Sequence, residues 1–250
     1  VCPRNLCKLG VRDARHGSTG RRSLKQNSAA PSSMGAVPSQ ALPSQELPSQ
    51  ALPRQTSPLQ APSDPPLELT PSRPDPLRVT PRAPKTPRPG ALVRPAARAQ
   101  ILHTFAHHEL QAAEIFCWAF LAFPDAPESF RRGLLGIAQD ELRHTNQYIA
   151  QVERLGGTFG EHPVRDWFWQ RFADVRTPLQ FVSLMGIGLE GANLDHADLW
   201  AARFREVGDE EGARCQESVG REEEPHVAFA VQWFERWAGP LEFNTWRAQL

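Results

Sequence analysis

The chain has 250 residues, with 28 basic side chains, 28 acidic ones and 24 prolines. Residues 1–100 carry 15 Lys and Arg against 5 Asp and Glu, 18 of the prolines and no aromatic residue, whereas residues 101–250 carry 13 Arg, 23 acids and every aromatic. This excludes a single core spread over the whole length, because a charged, proline-rich segment without aromatics cannot bury enough apolar surface to offset its chain entropy; what remains, about 150 residues, suits one ordinary domain.

No apolar run is long enough for a transmembrane helix, so no membrane association is expected. Residues 1–22 lack the apolar centre of a secretory signal. The four cysteines, Cys2, Cys7, Cys117 and Cys215, show no metal-knuckle spacing and read as reduced thiols of a cytoplasmic protein. Residues 38–58 repeat a five-residue P-S-Q-x-L unit, too short a period for a solenoid, and residues 1–74 are expected to be a disordered low-complexity tail. Residues 75–95 form a Pro/Arg-rich lead-in. It is expected either to pack along the domain or to act as a basic arm for nucleic acid or for the acidic domain itself.

From residue 96 to 250 the pattern becomes helical. Pro95 suits the first turn of a helix, where its missing N–H costs nothing, and residues 96–122 keep an apolar helical period. Phe123-Pro124-Asp125-Ala126-Pro127 stops that helix, and a second runs to Leu155, ending at Gly156-Gly157. A longer connection, residues 158–177, contains Trp167, Phe168, Trp169 and Phe172 and predicts a short packed helix. The third helix opens at Thr177-Pro178 and runs to Val207; the fourth runs from Glu210 to Trp237. Short, long and short connections between four long helices predict an all-α, ferritin-like four-helix bundle: two antiparallel hairpins joined by a crossover.

Four acids fall on apolar helix faces: Glu109, Glu141, Glu190 and Glu223. A lone buried carboxylate is costly, but several converging on a cation are compensated by it. Two of them open Glu-x-x-His units, Glu141 with His144 and Glu223 with His226, and residues i and i+3 share a helix face. Glu109 precedes Glu141 by 32 residues and Glu190 precedes Glu223 by 33, so each hairpin offers one Glu and one Glu-x-x-His. Four Glu and two His are the ligand set of carboxylate di-iron or di-manganese sites. Glu114 is the alternative to Glu109 on the first helix. Glu114, Asp195, Asp140 and Glu222 are candidates for acids that orient a ligand histidine, the other reading being a polar flank. His107, His108 and His196 read as flanking or surface histidines. Pro225, between Glu223 and His226, predicts a kink or π-bulge. Gly186, Gly188 and Gly191 beside Glu190 predict either close helix packing or room for O₂ or substrate.

In HHELQAAEIFCWAFLAFPDAPESFRRGL, DELRHTNQY, GLEGANLDHADL and GDEEGARCQESVGREEEPHVAFAVQWF the sequence resembles an uncharacterised bacterial ferritin-like domain family, distantly related to the tRNA-isopentenyladenosine hydroxylase. The resemblance spans roughly residues 75–246. It implies a cytosolic, ferritin-like di-iron protein. The stretch from Asp140 to His144 also resembles the D-E-x-R-H box of bacterial multicomponent di-iron monooxygenases.

The leading expectation is an O₂-activating oxidoreductase with two Fe ions, or Mn or a mixed pair, served by an electron donor and acting on a small molecule or an RNA. Alternatives are an iron-handling or ferroxidase protein and a non-catalytic bundle stabilised by metal. RNA binding would fall to the basic tail, because the acidic domain repels phosphate.

Overall fold

The computed structural model describes residues 73, 77–82 and 85–250. The expectation of a disordered tail over residues 1–74, with its P-S-Q-x-L repeat, lies outside these residues, Arg73 excepted. Among the described residues the structure is helical, apart from one parallel bridge between Val79 and Val164.

Helix α1 spans Pro95–Ala122 with Pro95 in its first turn. Helix α2, Glu128–Arg154, ends at Gly156, whose φ of +82° few side-chain-bearing residues tolerate. The connection carries α3, Trp167–Phe172, whose Trp169 and Phe172 are buried. Helix α4, Pro178–Val182, opens with a capping box: Thr177 accepts from the Gln180 N–H while the Gln180 side chain answers the Thr177 N–H. It continues as a π-helix, Ser183–Glu190, and then as α5, Gly191–Glu206. Helix α6, Glu210–Ala238, is capped by Asp209, which accepts from the Gly212 N–H. A turn then leads into α7, Phe243–Arg247.

Helix α1 packs on α2, the π-helix and α5 pack on α6, and the two hairpins meet along α2 and α6. One apolar cluster joins Ile101, Leu102, Tyr148, Val152, Phe204 and Val219. Toward the other ends of the same helices lie buried Phe116, Phe130, Phe181 and Phe234. Each large side chain fully buried in these clusters contributes about 1.5–3 kcal/mol. In every long helix the apolar-face acid falls between the two clusters, so the fold holds the acids at mid-height with packed hydrocarbon on both sides.

Residues 77–82 and 85–94 lie along the domain. Thr80 donates to the Val164 carbonyl (2.8 Å) and Val164 to that of Arg78 (2.9 Å), and Leu77 and Leu92 are buried. Arg73 pairs with Glu114 through both terminal nitrogens.

Two features depart from the sequence reading. Of the two alternatives expected at Pro225, a kink or a π-bulge, the π-bulge is not there: helix α6 keeps α-helical geometry, and the π-geometry sits on the element packed against it. Pro225 lies on the exposed face, where the carbonyl that loses its N–H partner can turn to water. Helix α7 was not predicted; its five residues are too few to show a helical period.

Candidate metal centre

The hairpins bring the predicted residues to one place: Glu109 from α1, Glu141 and His144 from α2, Glu190 from the end of the π-helix, Glu223 and His226 from α6. None is more than 5 % exposed. Glu109, Glu141, His144 and Glu223 present ligand-type atoms all within 4.8 Å of one another.

Glu141 and Glu223 are central. Nδ1 of His226 lies 3.0 Å from Glu141 Oε1 and 2.8 Å from Glu223 Oε2. Nδ1 of His144 lies 3.4 Å from Glu141 Oε2 and 3.3 Å from Glu223 Oε1. Each imidazole therefore points Nδ1 between the same two carboxylates. Glu109 is neighboured by Glu141, and Glu190 by Glu223, each neighbour pushing the outer carboxyl toward its protonated form.

Burial and electrostatics sort the protons. Burial pushes the Glu109 carboxyl well above the usual range, and Glu141 and Glu223 add to this. Burial does the same to Glu190, with Glu223, Glu141 and Glu109 adding. At Glu223 burial works upward but hydrogen bonds from His144 and His226 outweigh it, bringing the carboxyl down to about 2. Burial would lower both histidines, yet Glu141 and Glu223 hold His144 up at about 11 and His226 at about 10. Without a cation the cluster is thus neutralised by protons on its imidazoles and outer carboxyls.

The donor set fits a cation better than it fits protons. Four carboxylates and two imidazoles are ligands for hard or borderline divalent metals. Oε1 of Glu190 is buried with no hydrogen-bond partner among the described residues, an uncompensated acceptor in a polar cluster. The buried Glu/His cluster can hold metal ions.

A second layer crosses between the helices. Nε2 of His226 lies 3.2 Å from Asp140 Oδ2 on α2, and Nε2 of His144 lies 3.2 Å from Glu222 Oε2 on α6. Arg143 ties the two acids together, donating to Asp140 Oδ1 (2.6 Å) and to Glu222. Asn193 on α5 donates to Glu223 Oε1 (3.4 Å). Glu114 is placed elsewhere: it accepts from Arg73 and from Trp169 Nε1 and hydrogen-bonds neither His144 nor His226. Asp195 is exposed on α5.

His196 is exposed and His108 half-buried, the latter stacked on Phe168. His107 departs from the surface reading. It is 2 % exposed, lies 3.1 Å from Gln111 Nε2 through Nδ1, and is held down at about 3 by burial and by nearby Arg73. In the sequence Arg143 enters only as the Arg of the D-E-x-R-H resemblance, with no role of its own, although position i+2 of the first Glu-x-x-His holds Arg143 where the second holds Pro225. That broken symmetry is the signal that could have found it.

No helix among the described residues is long and apolar enough to cross a membrane. No curated protein and no solved structure matches the chain. The model of the family described as "Protein of unknown function (DUF455)" matches residues 34–249, and the chain belongs to that family.

Proposed function

We propose that the protein is a di-metal carboxylate oxidoreductase of the cytoplasm, with two iron ions, or manganese or a mixed pair, held by Glu109, Glu141, His144, Glu190, Glu223 and His226. It would use O₂ and an electron donor to oxidise a small-molecule or RNA substrate. A bound pair of redox-active ions would supply the electrons and the open positions that O₂ reduction requires.

The observation that carries this reading is the arrangement of the two histidines. Each directs Nδ1 between Glu141 and Glu223 and has Nε2 beside an acid of the opposite helix. An Nε2–H given to Asp140 or Glu222 fixes the tautomer whose Nδ1 lone pair faces the cluster. The apolar clusters on either side keep bulk water from the carboxylates, which strengthens every charge interaction inside.

Elemental analysis of the natively purified protein should give two metal equivalents per chain, mainly iron. Fe(II)-loaded protein should consume O₂ and Glu141→Ala should not. Wild-type protein that takes up no metal would overturn the proposal. Oxygen uptake that ends only in deposited ferric iron would move the protein to iron handling.

A further inference from the structure

The π-helix Ser183–Glu190 ends on Glu190 and is gripped from two sides. On the α6 side, a Cβ at Gly186 would lie 2.2 Å from the Ala230 Cβ, so the two backbones approach as only glycine allows. Ala230 is one turn beyond His226. On the other side stands Trp246 of α7, 6 % exposed. Its indole Nε1–H donates to the Ser183 carbonyl at 2.9 Å, and its ring edge is 3.8 Å from where a Gly188 Cβ would be. Ser183 is fully buried and its hydroxyl donates back to the Leu179 carbonyl (2.7 Å).

A π-turn holds one more residue than an α-turn, and its hydrogen bonds are easily exchanged for α-helical ones. Such a segment keeps its register only if neighbours over-determine it. Relaxation to an α-helix would rotate Glu190 relative to the fixed faces of α2 and α6. The Ser183 carbonyl opens the segment, and it receives a donor from outside the helix. Both α6 and, through the turn at Gly239 (φ +85°), α7 come from one continuous stretch of chain. That stretch supplies Glu223 and His226 as ligands and returns to clamp the element carrying Glu190.

We propose that Trp246 is a positioning residue for Glu190. Its indole N–H holds the π-register that places the Glu190 carboxyl beside Glu223. This deepens the metal-centre reading and rests on it only where metal is the probe.

The test pairs two variants of the full chain, Trp246→Phe, which keeps an aromatic ring but no donor, and Trp246→His, which keeps a ring N–H with less packing area. Hydrogen exchange of the 188–190 amides in metal-free protein is the first readout, and Co(II) affinity with its visible absorption the second. In Trp246→Phe, exchange at 188–190 should quicken at least tenfold, while amides of α1 and α2 stay as in wild type. Co(II) should bind about tenfold more weakly, the low end of what supporting contacts contribute to metal affinity, with a changed spectrum. Trp246→His should be closer to wild type than Phe in both, although packing alone predicts the reverse order. Glu190→Gln added to Trp246→Phe should weaken Co(II) binding less than it does in wild type. Unchanged exchange at 188–190 in both variants, or His worse than Phe, would overturn the proposal. If wild-type protein binds no Co(II), the metal reading fails while hydrogen exchange still decides the role of Trp246.

Discussion

Asp140 on α2 lies 3.2 Å from the Nε2 of His226 on α6, so each hairpin holds a histidine of the other. The partner contact, Glu222 to His144, has the same length, and Arg143 spans the two acids. Loss of either acid frees one imidazole to rotate and removes the preference for an Nε2–H tautomer. Asp140→Asn should weaken Mn(II) binding by about 10–100-fold, the usual effect of losing a group that orients a ligand, with little change in unfolding midpoint of the metal-free protein. Arg143→Ala should act in the same direction but less strongly. Combined with Asp140→Asn it should add only the share that reaches His144 through Glu222, because its share through Asp140 is already lost. Free Mn(II) measured by electron paramagnetic resonance gives both numbers. Full additivity would show that Arg143 does not work through Asp140.

Metal uptake should release protons, and its affinity should rise with pH. In the metal-free cluster His144 and His226 are held up at about 11 and about 10, and burial first, then the neighbouring carboxylates, keeps Glu109 and Glu190 raised. All four must lose protons to act as ligands. Calorimetric titration with Mn(II) in buffers of different ionisation enthalpy should show net proton release at pH 7. The same shifts fix the stability of the metal-free protein. A raised folded-state pKa adds stability that is complete below the unfolded value, near 6.5 for histidine, and is lost as pH climbs through the folded value. The melting temperature of metal-free protein should therefore begin to fall above the ordinary carboxylate range, through Glu109 and Glu190, and fall further between pH 6.5 and about 10–11 through the histidines, where His144→Gln should flatten it. Glu223, lowered to about 2, acts oppositely and loses its contribution below the ordinary carboxylate range.

The long helices and the inward acids were legible because both depend on local periodicity. Glu109, Glu141, Glu190 and Glu223 stand out as charges on apolar stripes, and Glu-x-x-His spacing follows from helix geometry. The layer beyond them was only half legible. Asp140 and Glu222 precede a ligand-type Glu, but so would any polar flank, and Glu114, a candidate five residues beyond Glu109, pairs with Arg73 and Trp169 instead. Which acid meets a histidine depends on how α2 faces α6, a relation no single helix encodes. The π-helix was misplaced for a similar reason. Pro225 announces a local defect that solvent absorbs, whereas the π-register at Ser183–Glu190 arises from contacts with Ala230 and Trp246, 40 or more residues away in sequence.

Two glycine-to-alanine changes should have opposite signs. Alanine is favoured over glycine inside a helix by about 1 kcal/mol. Gly136 on α2 is exposed and a Cβ there would meet nothing within 4 Å, so Gly136→Ala should stabilise by up to that amount. Gly186→Ala would place its Cβ 2.2 Å from that of Ala230, which has no rotamer to move. Overpacking of this kind typically costs about 1–3 kcal/mol, so the net effect should be destabilising despite the propensity gain. It should also push the π-helix off α6 and weaken Mn(II) binding, which Gly136→Ala should leave unchanged. Urea unfolding with parallel metal titration separates the two effects. A stabilised Gly186→Ala would mean that the helices part easily here.

Arg73 should fasten the lead-in to the domain. Its side chain is 5 % exposed and meets Glu114 and, at 3.6 Å, Asp166, while Trp169 also donates to Glu114. Hydrogen bonds to charged groups are worth about 1.5–3 kcal/mol, but Glu114 remains 26 % exposed, and solvent screening reduces what the pair contributes. Arg73→Ala should therefore cost no more than about 1–2 kcal/mol globally. Its larger effect should be local. With the anchor gone, residues 77–82 are held chiefly by buried Leu77 and the bridge to Val164, and local opening needs less free energy than unfolding. Trypsin should then cut at Arg78, Arg82 or Lys85 several-fold faster than in wild type while the bundle keeps its helical circular dichroism. Equal cleavage rates in wild type and Arg73→Ala would show that the Val79–Val164 bridge and Leu77 hold this segment without Arg73.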